Sequence, residues 1–149
     1  MATRDVVVFS KYKFGKGHEI THPFKCDYSN PIHAVYYLSG CCDFRFETKD
    51  GCVSEHPNSK RKFMRKQISS EDAQITKIRV WFDDKYVYGC EVFSGNEVVL
   101  EVGSFIKQSD VFNLNAGERL VGVRMKLVEN LLNSDSALCN LVLVIGRLE

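Results

Sequence analysis

Long apolar runs are missing from this sequence. The longest uninterrupted one, Leu141–Ile145, falls far short of the ~20 residues a membrane-spanning helix needs. Met1-Ala2-Thr3-Arg4-Asp5 leads into only the apolar stretch Val6–Phe9, whereas a secretory leader requires roughly 7–15 apolar residues. An excess of one charge is missing too. With 20 Lys+Arg against 19 Asp+Glu, no global field draws the chain onto nucleic acid or anionic membrane. The cysteines, at 26, 41, 42, 52, 90 and 139, never take C-x-x-C spacing, which argues against a structural zinc site. No P-loop, dinucleotide glycine signature or G-x-S-x-G elbow occurs. The resulting expectation is a soluble, cytoplasmic protein with reduced thiols and no cofactor. It inserts into no membrane and reads no nucleic-acid sequence.

What the chain does have is enough apolar material for a core. Its 149 residues are 44% hydrophobic, which excludes disorder and leaves room for one domain, residues 1–149. No window carries a convincing helical stripe; the best, Val128–Leu138, is broken by Asn130, Asn133, Ser134, Asp135 and Ser136. Strand patterns fill the rest: Val6–Phe9, Val35–Leu38, Phe44–Glu47, Ile75–Phe82, Tyr86–Phe93, Val98–Val102, Leu120–Leu127 and Leu141–Leu148. β-branched and aromatic residues dominate them, and Asp50-Gly51 and Gly95-Asn96 are hairpin-turn pairs. Cys90 and Cys139 lie in apolar, strand-like stretches and are expected in the core, whereas the vicinal Cys41-Cys42 pair would point to opposite faces of a strand. The fold class is all-β.

A repeat runs through the pattern. Ile75-Thr76-Lys77-Ile78-Arg79-Val80-Trp81-Phe82 aligns with Leu120-Val121-Gly122-Val123-Arg124-Met125-Lys126-Leu127, and a fainter copy begins at Ile32. An apolar anchor precedes each copy: Phe24, Ile68 and Leu114. A strand-rich period of roughly 45 residues implies a radially repeated β architecture. Parity places Val35, Ile78 and Val123 on one buried face with Tyr37, Val80 and Met125, and turns Arg79 and Arg124 outward. Ile32, Ile75 and Leu120 are out of phase with that set, which predicts a bulge or a turn before each strand.

The run Ile78-Arg79-Val80, Tyr86-Val87-Tyr88-Gly89-Cys90-Glu91-Val92-Phe93, then Phe112-Asn113-Leu114 through Gly117-Glu118-Arg119-Leu120-Val121-Gly122-Val123 resembles jacalin-like lectin domains. The likeness covers residues 75–149 well and the N-terminal half weakly. It implies a β-prism of three antiparallel Greek-key-like sheets around a pseudo-threefold axis. It also implies a monosaccharide site formed by an N-terminal glycine-rich loop, here Gly15 and Gly17, and a C-terminal G-x-x-x-D loop. Aligning Ser136–Leu141 on that loop puts Cys139 in the place of the carboxylate, with Asp135 and Asn140 out of register beside it. In the second repeat the matching position is Tyr88.

Other motifs carry less. His18-Glu19-Ile20-Thr21-His22 spells H-E-x-x-H, but zinc proteases need that spacing on a helix. Flanking glycines, Pro23 and the β-branched Ile20 and Thr21 predict a strand here, which would hold the imidazoles roughly 13 Å apart at ~3.3 Å per residue. The basic run Lys60–Lys66 is either an anion-binding patch or a solvated loop or edge strand. Asp83-Asp84 is expected to be a solvated turn. Trp81, Tyr86 and Tyr88 cluster around one hairpin, where they either pack or stack on a ligand.

Two functions follow. The first is a non-catalytic lectin-like module that binds a carbohydrate or glycoconjugate through rim loops, using Gly15, Gly17, the loop Asn133–Asn140, Tyr86 and Tyr88, with no metal. The alternative is a β-prism without sugar binding that serves as a structural or protein-interaction subunit, with protein partners or a homo-oligomer.

Overall fold

In a computed structural model of the chain, the described residues form strands in three antiparallel sheets. They are residues 2–7, 18–20, 27–37, 44–53, 63–70, 73–83, 86–129 and 136–147; for 2–7, 18–20, 44, 126–129 and 136–140 only the backbone is described. No helix occurs among them.

The second repeat has the plainest sheet. It contains β6 (Lys77–Phe82), β7 (Val87–Ser94), β8 (Glu97–Gly103) and β9 (Gln108–Asn113), in the order β8-β7-β6-β9. Consecutive strands pair, and the fourth returns beside the first, which is a Greek key. Gly95-Asn96 makes the tight β7–β8 turn, with Gly95 at φ +63. The third sheet repeats this order by joining the two ends of the chain. β10 (Glu118–Glu129) and β11 (Ser136–Arg147) form the hairpin, while β1 (Ala2–Val7) and β2 (His18–Ile20) supply the other strands, in the order β1-β11-β10-β2. The first sheet has β4 (Phe44–Thr48), β3 (Ile32–Tyr37) and β5 (Met64–Gln67), in the order β4-β3-β5. A single bridge from Glu47 to Val53 stands on the free side of β4, where the other sheets carry a fourth strand.

The leading strand of each repeat is therefore paired on both sides. The three inner faces meet in one cluster containing Val35, Ile78, Val80, Val123 and Met125, as the parity predicts. Cys90, Val92, Leu141 and Leu143 from the second strands join it, and the anchors Ile68 and Leu114 pack there too; Phe24 lies outside the described residues. Arg124 is exposed and Arg79 half-buried on the outward side.

The first and third repeats have bulges at these positions. Ile32 faces Thr48 and Ala34 faces Glu47, so His33 is the extra residue. Leu120 faces Ile145 and Gly122 faces Val144, which makes Val121 its counterpart. In the second repeat, Lys77 is opposite Phe93, and the Thr76 N–H donates to the same Phe93 carbonyl at 2.8 Å. The extra residue in the first and third repeats turns Ile32 and Leu120 inward without moving the rest out of phase.

Three strands depart from the sequence expectation. β9 was not anticipated, β1 starts at Ala2 rather than Val6, and β11 starts at Ser136, inside the stretch expected to be a loop. The loop expectation fails because the backbone of residues 136–140 continues to pair with Lys126–Glu129.

Candidate functional site

The β6–β7 hairpin is built around another bulge. Trp81 faces Gly89 and Phe82 faces Val87, leaving Tyr88 as the extra residue. A bulge re-aims its side chain, and here the ring turns toward the hairpin turn. The Tyr88 hydroxyl donates to Asp83 Oδ2 at 2.6 Å. Asp83 Oδ1 accepts the Tyr86 N–H at 2.9 Å, and the Asp83 N–H donates to the Tyr86 carbonyl at 3.0 Å. The two tyrosine rings meet edge to face, with centroids 6.0 Å apart.

Glycines bring the next segment alongside. A Cβ on Gly89 would come within 2.5 Å of the Ser104 carbonyl oxygen, so β7 and the end of β8 touch through bare backbone. Gly103, at φ +76, fits the same contact, and the Ser104 N–H donates to the Tyr88 carbonyl at 2.8 Å. Because Gly89 is the cross-strand neighbour of Trp81, that side of the indole carries no side chain from β7. Phe105 stacks on Trp81 with centroids 4.1 Å apart and ring planes 21° apart. The Arg79 guanidinium lies 5.7 Å from the Trp81 centroid. Phe105 and Ile106 are 43% and 47% exposed.

This end of the second sheet carries a braced carboxylate with the Tyr86–Tyr88 pair, and β6 of the same hairpin carries the Trp81–Phe105 stack. A carboxylate accepts hydrogen bonds from ligand hydroxyls, while aromatic faces take up the C–H surface of a ring. The nearby Cys90 thiol is pushed up to about 12 by burial, and to a lesser extent by the Glu91 charge, so it is not a thiolate at neutral pH. Among the described residues, no three His, Cys, Asp or Glu side chains are grouped so as to hold a metal ion.

Tyr86 and Tyr88 are thus brought together as the sequence suggested. Asp83 is the residue the sequence reading misses: it is a half-buried brace of the turn rather than a solvated one. Asn140 belongs to another sheet and is not in a rim loop, since it pairs within β11 opposite Lys126. Gly15, Gly17 and Asp135 lie outside the described residues. The alignment of Cys139 with Tyr88 has a structural basis. Lys126 faces Asn140 and Leu127 faces Leu138, so Cys139 is the bulged residue of its hairpin, as Tyr88 is of the other.

The H-E-x-x-H segment enters β2, where His18, Glu19 and Ile20 pair with β10 in extended backbone; Thr21 and His22 lie outside the described residues. The basic run ends in β5, an edge strand. Its Arg65 donates to Glu47 Oε2 at 2.5 Å and lies over the Tyr36 ring. His33 Nε2 sits 2.8 Å from the same oxygen, and the Tyr36 hydroxyl donates to Oε1 at 3.2 Å. Burial pushes the Glu47 carboxyl up, but the bonds from Arg65 and His33, the Arg65 charge and the Tyr36 bond outweigh it and hold it below the ordinary value.

No protein-family model matches this sequence, and no curated protein matches it either. Solved structures do match in shape. Calystegia sepium agglutinin superposes with a TM-score of 0.63 at 13% identity, covering 99% of both chains. Malaysian banana lectin gives 0.63 at 11% identity, over 99% of this chain and 100% of the other. Both are jacalin-like β-prism lectins. This chain has their fold. A third match, the Vibrio cholerae biofilm matrix protein Bap1, gives 0.62 at 11% identity over 99% of this chain. The chain spans only 24% of Bap1.

Proposed function

We propose that this β-prism is a non-catalytic carbohydrate-binding module whose ligand sits at the β6–β7 hairpin. The observation that carries this is the Asp83 carboxylate, held by the Tyr88 hydroxyl and the Tyr86 N–H in the hairpin whose β6 carries the Trp81–Phe105 stack. Where the jacalin-like pattern takes its carboxylate from the bulged position, this hairpin has a tyrosine there. The tyrosine orients a carboxylate supplied by the turn that follows β6. The fold match adds support, since one neighbour is the Calsepa lectin in complex with a biantennary N-glycan.

A glycan array with the wild-type chain, Asp83→Asn and Tyr88→Phe tests the proposal. The wild type is expected to bind at least one glycan at about millimolar strength, equivalent to roughly 4 kcal/mol. Asp83→Asn should abolish that signal, and Tyr88→Phe should weaken it. An array with no signal from the wild type overturns the proposal in favour of the second reading, a protein-interaction subunit. The exposed apolar side chains of Phe105 and Ile106, between β8 and β9, and of Val111 in β9 favour that alternative.

A further inference from the structure

The outer face of the second sheet sets cations and carboxylates on neighbouring strands. Its register aligns Val111 of β9, Arg79 of β6, Glu91 of β7 and Glu101 of β8 in one row across the four strands. The next row holds Asn113, Lys77, Phe93 and Val98. These side chains point outward because the alternate positions, Ile78, Val80, Val92 and Leu100, belong to the core. Cations therefore stand on β6, and carboxylates on β7 and β8.

Neither sign is neutralised within the chain. Arg79 lies over the Trp81 ring and Lys77 over the Phe93 ring, and Arg79 Nε is buried with no hydrogen-bond partner. Among the described residues, Glu91 and Glu101 enter no ion pair, although they stand directly opposite each other. Like charges so placed destabilise a sheet. Apolar side chains flank the charges: Val98, Phe105 and Val111 are 38%, 43% and 37% exposed.

A partner that answers this layout must present a carboxylate to β6 and a cation to β7. The same face, turned through half a revolution, does both. A two-fold axis lying in the interface between β6 and β7, along the strands, sets β6 of each copy over β7 of the other and keeps the rows in step. Arg79 of each copy then meets Glu91 of the other, the reciprocal contact that an isologous interface requires. The axis also brings Phe105 of both copies to the same end. We propose that the chain forms a homodimer through the outer face of its second sheet. Four strands ~4.8 Å apart, with six residues at ~3.3 Å in β6, give a footprint of roughly 20 Å by 20 Å. That suits a weak dimer rather than an obligate one.

Sedimentation velocity of the full chain, from about 10 μM to about 1 mM, tests the proposal. The wild type is expected to dimerise as its concentration rises, and added salt to weaken the dimer. Arg79→Glu and Glu91→Arg each set like charges against one another at both contacts, so each should raise the dissociation constant at least about tenfold. Mixed in equal amounts, the two variants should associate, because their changes complement each other across the interface. Circular dichroism checks that each is folded. A wild type that stays monomeric throughout the range overturns the proposal on its own. So does dimerisation that Arg79→Glu leaves unchanged, or a mixture of the two folded variants that stays monomeric. This proposal stands apart from the sugar reading: an array without signal leaves sedimentation untouched, so the two fail separately.

Discussion

The first and second sheets are alike on the inside and opposite on the outside. Inward, Val35 and Phe46 of one correspond to Ile78 and Val92 of the other, and all four belong to the common core. Outward, the first sheet carries an ionic group, with Glu47 receiving Arg65, His33 and Tyr36. The second carries rings: Trp81 stacked on Phe105, and Phe93 beneath the Lys77 ammonium at 4.1 Å. The comparison teaches that three faces closing on one axis constrain only the residues that meet there. The outer faces and strand ends are left to diverge, and the hairpin site and the proposed dimer face lie there.

The most damaging way to test the shared interior is to truncate it. Ile78→Ala and Val123→Ala should destabilise the fold most, with Ile78→Ala costing about 2–4 kcal/mol through lost transfer energy plus a cavity. Denaturant melts measure this, and a harmless Ile78→Ala would mean that the faces do not share one core.

Next comes the ionic face. Glu47 is only 7% exposed, so Glu47→Ala should cost about 1–3 kcal/mol by leaving its partners without an acceptor. Its carboxyl is held below the usual ~4.3 of a glutamate. The stabilisation is therefore complete above that value and is lost as pH falls through the lowered one. Acid melts of wild type and Glu47→Gln should converge at low pH; a constant gap between them would assign the Glu47 effect to packing.

Tyr88→Phe should cost about 0.5–1.5 kcal/mol, the worth of one hydrogen bond. It should loosen the Asp83 turn while leaving the core intact, which hydrogen exchange at the Tyr86 amide would report. Arg79→Ala should have the smallest effect, within about 0.5 kcal/mol. Should it instead rival Ile78→Ala in the same melts, the outward face of the second sheet would be structural.

These differences track what was legible in the chain. The inward face could be read because strand periodicity is local: Val35, Ile78 and Val123 repeat at nearly equal spacing, and the phase error at Ile32 and Leu120 marked the places where bulges occur. The β9 strand could not be read this way. Its residues are almost all exposed, and it is a strand because the open edge of β6 needs backbone partners. Tyr86 and Tyr88 could be seen to share a hairpin from their spacing. Asp83 could not be singled out, because its role depends on a bulge that aims a ring across the turn.

The sequence by itself determined the all-β class, the threefold period and the side of each leading strand that is buried, since all three follow from the two-residue alternation of side chains along a strand. Only the tertiary structure decided that both ends of the chain complete one sheet. It alone brought Gly89 against Ser104 so that Phe105 could cover Trp81, and aligned Val111, Arg79, Glu91 and Glu101 in one row across four strands. Each of these depends on backbone and side-chain contacts between residues far apart in sequence, which no local pattern encodes.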